Sequence, residues 1–170
     1  MHLKEFQNRV LPVKNKIYRF ALRMLTDEQD AKDVVQEVML KVWNKREEMH
    51  LCQNMEAWCM TIAKNMCLDR FRMNNRRTMQ PLDAHFEISD QAENPQSITE
   101  TKDMMKRIKQ IINGLPEKQK MVIQLRDIEG FAYQEIAEML EMDMNQVKVN
   151  LFRARKFLKE KLINSEAYGL

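Results

Sequence analysis

Residues 133–155 read YQEIAEMLEMDMNQVKVNLFRAR, and the spacing of apolar residues within this stretch decides the fold. The pattern predicts a short helix over about 133–140, a turn of three or four residues and a longer helix to about Ile163. Asp143 and Gln146 are placed to cap the longer helix. This is the spacing of a helix-turn-helix motif, in which the longer helix should bury one stripe: Val147, Leu151, Ala154, Leu158 and Leu162.

The opposite face of the longer helix carries mostly polar and basic side chains: Gln146, Lys148, Val149, Phe152, Arg153 and Lys156. From Gln146 to Leu162 the sequence has six basic residues and one acidic residue. Such a helix fits the major groove of DNA, where its first turns reach base edges and its later Lys and Arg side chains contact phosphates. A solvated charged face is the alternative, and the outward-facing Phe152 favours DNA.

Glycine and proline are scarce, with three Gly and four Pro among 170 residues. In average proteins these two residue types together make up about 12% of the chain. Sheets joined by tight turns need such residues at regular intervals. The composition therefore predicts an all-α fold and excludes glycine-rich nucleotide-binding loops. Three cysteines without CxxC spacing and a single His50–Cys52 pair do not make a metal site, so no metal or cofactor is expected. No acid–base pair or activated nucleophile is evident, which argues against an enzyme.

The net charge of +3 is unevenly distributed along the chain. Counting Lys and Arg against Asp and Glu, residues 1–78 carry +5, residues 79–96 carry −4 and residues 97–170 carry +2. The acidic segment contains Pro81 and Pro95 and lacks a helical period, so it is predicted to link two small helical domains. Positively charged domains favour polyanionic partners. Without a long apolar run or a signal-peptide pattern, a cytoplasmic location and no membrane insertion are expected.

Three helices are predicted in the first domain, over about 3–25, 26–48 and 54–75. The segment from Thr26 to Gln29 is interpreted as a capping box that starts the second helix. The apolar spacing predicts the buried residues of the second and third helices: Ala31, Val35, Val38 and Val42, and then Met55, Cys59, Ile62, Met66 and Met73. A separate face of the second helix carries Asp33, Gln36, Glu37, Leu40 and Asn44.

In the second domain, the segment from Ser97 to Glu100 is interpreted as another capping box. The helix that follows is predicted to end at Gly114 with a left-handed glycine. Pro116 should lie in the first turn of the next helix, which ends at Gly130.

The third helix also carries a pattern suited to unpaired bases. One face is predicted to hold Thr61, Lys64, Asn65, Leu68 and Arg72, with Trp58 at its edge and Arg70, Arg76 and Arg77 following. Basic, amide and aromatic side chains together can contact phosphates and stack on or hydrogen-bond with bases. A core role for Trp58 and a solvated helix end for Arg76 and Arg77 are the alternatives.

Several segments together resemble the bacterial extracytoplasmic-function (ECF) sigma factors of RNA polymerase, in their two-domain form. Residues 30–43, DAKDVVQEVMLKVW, resemble region 2.2, and residues 57–72, AWCMTIAKNMCLDRFR, resemble regions 2.3 and 2.4. Region 4 is resembled by three segments: 115–120, 133–137 and 147–155. The match spans about residues 6–162, and the motifs follow the family's order and spacing.

The resemblance implies promoter recognition and melting in transcription initiation, with core RNA polymerase and promoter DNA as partners and an anti-sigma factor as regulator. It implies that the β flap and the β′ clamp helices are contacted, the latter by Asp33, Gln36, Glu37 and Leu40. The melted minus-ten element would be bound by the loop from His50 and by Asn54, Trp58, Lys64, Asn65, Arg72, Arg76 and Arg77. The minus-thirty-five element would be read by Gln146, Lys148, Val149, Phe152, Arg153 and Lys156. The acidic linker would thread the RNA-exit path or serve only as a soluble tether.

The sequence departs from the family at the helix-turn-helix. Glu141 and Asn145 stand where members often have glycine, so Glu141 must accept a strained backbone or the turn must differ. Asn150 stands where many members have Arg, and Val149 where many have a small polar residue. Base readout is therefore expected to depend more on Lys148 and Arg153.

A DNA-binding regulator that uses only the helix-turn-helix is the alternative function, with residues 1–78 as a dimerisation or sensor domain. The polar face around Glu37 argues against it, because the centre of a dimer interface should be more apolar.

Overall fold

The structure is a computed structural model that describes residues 2–77 and 100–167. Every regular element within these ranges is helical, which confirms the predicted all-α fold of two small helical domains. The predicted linker and the Ser97 capping box lie outside the described residues. The helices are α1 (His2–Arg9), α2 (Lys14–Leu25), α3 (Glu28–Asn44), α4 (Met55–Arg77), α5 (Glu100–Asn113), α6 (Glu117–Ile123), α7 (Tyr133–Leu140) and α8 (Met144–Ala167).

The first domain (residues 2–77) is built on α2, α3 and α4, which pack against one another. The four apolar residues predicted to be the inward stripe of α3 are all buried. On α4, Met55, Cys59 and Met66 are buried and Ile62 is half-buried, but Met73 is 53% exposed, so its prediction was wrong. All of residues 71–77 are exposed, because the end of α4 extends past the helices that cover its first turns.

The N-terminal segment is not the single helix predicted over 3–25. A 3₁₀ turn at Leu11–Val13 separates α1 from α2. Pro12 causes this break, since a proline inside a helix has no amide hydrogen to donate and its ring clashes with the preceding turn. The helix predicted over 26–48 also ends early, at Asn44, and a second 3₁₀ turn follows at Arg46–Leu51.

The Thr26 capping box is also wrong, and the two neighbouring residues divide the capping between them. Thr26 has a left-handed backbone (φ 56°) and ends α2, with its amide donating to Leu22 O at 2.9 Å. Asp27 caps α3, because its Oδ1 accepts a hydrogen bond from Asp30 N at 2.8 Å. The tight connection fixes α3 against α2 without a loop.

The second domain (residues 100–167) contains α5 to α8. Gly114 follows α5 as predicted, but the prediction of a left-handed backbone there was wrong. Among the described glycines, Gly130 has that conformation (φ 80°). Pro116 occupies the N-cap position of α6, so it directly precedes the first turn in which it was predicted. A π-helical turn, Gln124–Ile128, continues α6 almost to Gly130, and the sequence pattern did not reveal it.

The two domains pack against each other. Helix α2 lies against α6 and the π-helical turn, and α4 lies against α7. The second contact places the first helix of the helix-turn-helix against the helix that carries the predicted strand-binding face.

Candidate nucleic-acid interface

The helix-turn-helix is α7, a short turn and α8, with α7 at the bounds predicted from the sequence. The cap of α8 is reciprocal: Gln146 N donates to Asp143 Oδ1 at 2.8 Å, and Asp143 N donates to Gln146 Oε1 at 3.0 Å. Val147, Leu151 and Ala154 are buried, whereas Leu158 and Leu162 are only half-buried. The orientation of α8 is therefore the predicted one.

The opposite face of α8 is open to solvent. All six residues predicted to contact the minus-thirty-five element are exposed: Gln146, Lys148, Val149, Phe152, Arg153 and Lys156. Phe152 has 67% of its surface exposed, and Val149 beside it has 44%. The exposure makes this face available to a ligand, and DNA contact remains a prediction.

The turn between α7 and α8 contains Glu141, one of the two positions where members of the resembled family often have glycine. Glu141 adopts the left-handed conformation, with φ 53° and ψ 45°, and Met142 N donates to Ala137 O at 3.0 Å across the turn. Asn145 lies inside α8. Of these two positions only Glu141 therefore has a strained backbone, and the turn contains a left-handed residue there.

Arg155 of α8 joins this helix to the π-helical turn that precedes the motif. Its Nε and Nη2 donate to the two carboxylate oxygens of Asp127 at 2.9 and 2.6 Å. The hydrogen bond to Asp127 raises the pKa of Arg155. Arg126 donates to Phe131 O at 2.8 Å, and its guanidinium lies 4.5 Å from the ring centre of Tyr133. The π-helical turn thus fixes both helices of the motif.

The predicted strand-binding residues of α4 do not all share one open surface. Asn65, Arg72, Arg76 and Arg77 are exposed, and Trp58 is half-buried against the hydrophobic core, as its structural alternative predicted. Lys64 is only 6% exposed, so in this arrangement it does not share the open face of Asn65. A buried lysine can reach a DNA strand only if the groups covering it move.

Asn54 makes two contacts at the start of α4. Its Oδ1 accepts from Ala57 N at 3.0 Å and caps the helix, while its Nδ2 donates to Glu135 Oε1 of α7 at 3.0 Å. The predicted minus-ten surface therefore begins at a contact with the second domain.

Part of the polar side of α3 forms ion pairs within the first domain. Arg70 of α4 is paired with Glu37 and donates to Asp30 Oδ1 at 3.3 Å. Arg70 therefore joins α4 to α3 and is not one of the outward arginines. Asp33 is half-buried, Gln36 is exposed, and Leu40 has 62% of its surface in solvent. Gln36, Leu40 and Asn44 are thus accessible, and Glu37 is exposed although it is paired with Arg70.

Sequence reasoning missed the residues that join the domains. Lys16, Arg19 and Arg23 of α2 form hydrogen bonds to the second domain, where Glu129 and Gln124 are buried. The signal available was the spacing of three basic residues at helical intervals along α2, although nothing local identifies their partners.

The described residues lack both a metal-binding cluster and a membrane-spanning helix. Residues 2–77 and 100–167 contain no group of three or more His, Cys, Asp or Glu side chains arranged to hold a metal ion. Across the same residues, no helix has the length and apolar character needed to cross a membrane.

Comparison with known proteins identifies the family. The family model described as "Sigma-70 region 2" matches residues 10–77, and "Sigma-70, region 4" matches residues 105–158. The ECF RNA polymerase sigma factor SigW of Bacillus subtilis is 27% identical over 159 residues, which cover 88% of this chain and 84% of SigW. The chain belongs to the ECF sigma factor family.

Two further similarities place this ECF sigma factor among its relatives. The ECF RNA polymerase sigma factor SigE of Mycolicibacterium smegmatis is 26% identical over 149 residues, covering 87% of this chain but only 58% of that longer relative. The sigma factor RpoE, solved in complex with the anti-sigma factor NepR from Bartonella quintana, has the same fold. The TM-score is 0.74 at 23% sequence identity, with 94% of this chain and 97% of that chain covered.

Proposed function

We propose that this ECF sigma factor binds core RNA polymerase, recognises the minus-thirty-five and minus-ten promoter elements and promotes promoter melting. The observation that carries the proposal is the capped and fully exposed polar face of α8, in a chain whose two halves match sigma-70 regions 2 and 4.

The second domain is proposed to read the minus-thirty-five element in the major groove. Lys148 and Arg153 have the donors that recognise guanine edges, and Phe152 supplies apolar contact of the kind made with a thymine methyl group. Gln146 is held in the helix cap through its Oε1, but its Nε2 still has two hydrogens to donate. Lys156, one turn further along α8, is proposed to contact phosphate.

The first domain is proposed to bind the melted minus-ten strand along α4. Extruding a base costs a few kcal/mol, which stacking and phosphate contacts by several arginines can offset. Arg72, Arg76 and Arg77 are exposed at the end of α4 and suit the strand backbone. Asn54, Trp58, Lys64 and Asn65 are proposed to surround the captured base. Three of these contacts require a change, since Asn54 is bonded to α7, Trp58 is half-buried and Lys64 is buried.

The proposed protein partners follow from the family. Gln36 and Leu40, with Asp33 and Glu37, are proposed to bind the β′ clamp helices of core polymerase, while the second domain meets the β flap. An anti-sigma factor is a further proposed partner, since the solved RpoE structure is of a complex with one. The site of action would be the cytoplasm, with no covalent chemistry by the sigma factor itself.

The test is binding to a labelled duplex promoter fragment from the host, measured by fluorescence anisotropy with and without core polymerase. We expect weak binding by the free protein and tight, sequence-selective binding when core enzyme is added. Tight selective binding by the free protein, unaffected by core enzyme, would instead favour the regulator that uses its helix-turn-helix alone.

A further inference from the structure

The contact between the domains is organised by one face of α2. Lys16, Arg19 and Arg23 are spaced three and four residues apart, so they lie on one side of the helix. All three donate hydrogen bonds to residues of the second domain. Such a concentration of cross-domain bonds on one helix face distinguishes this contact from chance surface packing.

The centre of the contact is Glu129, whose side chain is completely buried. Arg19 forms a bidentate pair with it, through Nε at 3.0 Å and Nη2 at 2.7 Å. From its own domain the carboxylate accepts a bond from Gln124 Nε2 at 3.1 Å. The positive charge that compensates this buried carboxylate therefore comes from the other domain. A buried carboxylate without a charged partner is strongly unfavourable, so the pair specifies how the domains meet.

Arg23 extends the same contact toward α5. Its Nε donates to Gln124 Oε1 at 3.2 Å, and its Nη1 donates to Asn113 Oδ1 at 2.8 Å and to the carbonyl of Lys109 at 3.2 Å. Gln124 thus connects the two arginines, since its amide donates to Glu129 and accepts from Arg23. The result is a continuous network across the contact, in which the charged and amide groups are hydrogen-bonded.

The contact reaches the proposed minus-ten surface through Asn54. Asn54 Nδ2 donates to Glu135 of α7, and α7 packs along α4 beyond this bond. A DNA strand seated on α4 would bring phosphates toward Glu135, which carries the same sign of charge. Strand binding at Asn54 would therefore compete with the observed domain contact.

We propose that Arg19, Arg23, Gln124, Glu129 and the Asn54–Glu135 bond form an interdomain clasp, which holds the free protein closed and engages Asn54 at the start of the minus-ten surface. The part that concerns DNA rests on the proposed function; the clasp itself does not. Because the clasp includes the Arg19–Glu129 ion pair, whose charges return to water when the domains part, added salt should favour the open form.

The clasp is tested in the full chain by small-angle X-ray scattering of the wild type, Arg19→Glu and the charge-swapped double variant Arg19→Glu/Glu129→Arg. Arg19 is suited to substitution because 47% of its side chain is exposed, so the first domain does not depend on it for its core. Arg155→Glu is the matched control, since it breaks an equally bidentate carboxylate pair that lies within the second domain.

A compact chain of 170 residues has a radius of gyration of about 15 Å. Two half-size domains with centres about 30 Å apart would give about 19 Å. We expect the wild type to be compact at low salt and to expand as salt is added. Arg19→Glu should be expanded at low salt, whereas the double variant and Arg155→Glu should be compact. A wild type that is already expanded, or an Arg19→Glu variant as compact as the wild type, would overturn the clasp.

The effect on DNA is measured with a fluorescein-labelled single-stranded 20-mer of mixed sequence. If the wild type is closed about nine-tenths of the time, opening should tighten binding about tenfold in Arg19→Glu, despite the loss of positive charge. Expansion without tighter binding would overturn the gating role. Failure of the clasp can be distinguished from failure of the proposed function. Scattering measures domain closure without DNA, whereas promoter-specific transcription tests the proposed function and does not depend on domain closure.

Discussion

Replacing Glu141 by glycine tests the strained turn of the helix-turn-helix. Glu141 has φ 53° and ψ 45° and an exposed side chain. A residue with a Cβ atom pays about 1–2 kcal/mol for the left-handed conformation. Glycine removes this strain but gains about 0.5–1 kcal/mol of freedom in the unfolded chain. The net expectation for Glu141→Gly is a stabilisation of about 0.5–1 kcal/mol, with no contact created or lost.

The measurement is urea denaturation followed by circular dichroism at 222 nm, which gives the free energy of unfolding. Glu138→Gly is the matched control, because it makes the same replacement at an exposed position inside α7. Glycine in a helix interior should cost about 1 kcal/mol there, so the two variants should move in opposite directions. A Glu141→Gly variant no more stable than the wild type would refute the assignment of strain to this residue.

Three further predictions concern the other surfaces and the buried thiols. Leu40→Asp should weaken core polymerase binding by about tenfold or more without loss of helix content, since Leu40 makes little contact within the chain; unchanged affinity in a pull-down would remove it from the interface. Lys148→Ala should reduce discrimination between promoters by about 1–3 kcal/mol, whereas Lys159→Ala, near the far end of α8, should not; a loss uniform across sequences would mark Lys148 as a phosphate contact. Burial raises the pKa of Cys59 and Cys67 from 9.0 to about 12, so these thiols ionise at a lower pH in the unfolded chain than in the folded one. The free energy of unfolding should therefore fall as the pH rises from 9 toward 12. An equally steep fall in a variant with both cysteines replaced by alanine would contradict this cause.

The helix-turn-helix could be predicted closely from the sequence because its determinants are local. The apolar period, the Asp143–Gln146 cap and the position of Gly130 act within one or two helical turns, and the structure has them as expected. The strain at Glu141 was expected from the resemblance, since members of the family often have glycine at this position. Even here the π-helical turn was missed, since a helix that widens by one residue leaves no distinct apolar pattern.

Errors arose where competing local signals or distant contacts decided the outcome. Pro12 outweighs an apolar period that continues across it, and Asp27 rather than Thr26 caps α3. Met73 follows the stripe of α4, but none of the described helices covers it there. The pairing of Arg19 with Glu129 joins residues 110 positions apart, and no periodicity in either helix encodes it.

Run-off transcription with core RNA polymerase, on promoter fragments recovered from the host genome, tests the central claim most directly. The claim is that this ECF sigma factor confers promoter-specific initiation. It predicts transcripts with defined start sites only when the protein is added, and their loss when Lys148 and Arg153 are both replaced by alanine. Equal transcription with and without the protein, across the promoters it is mixed with, would contradict it.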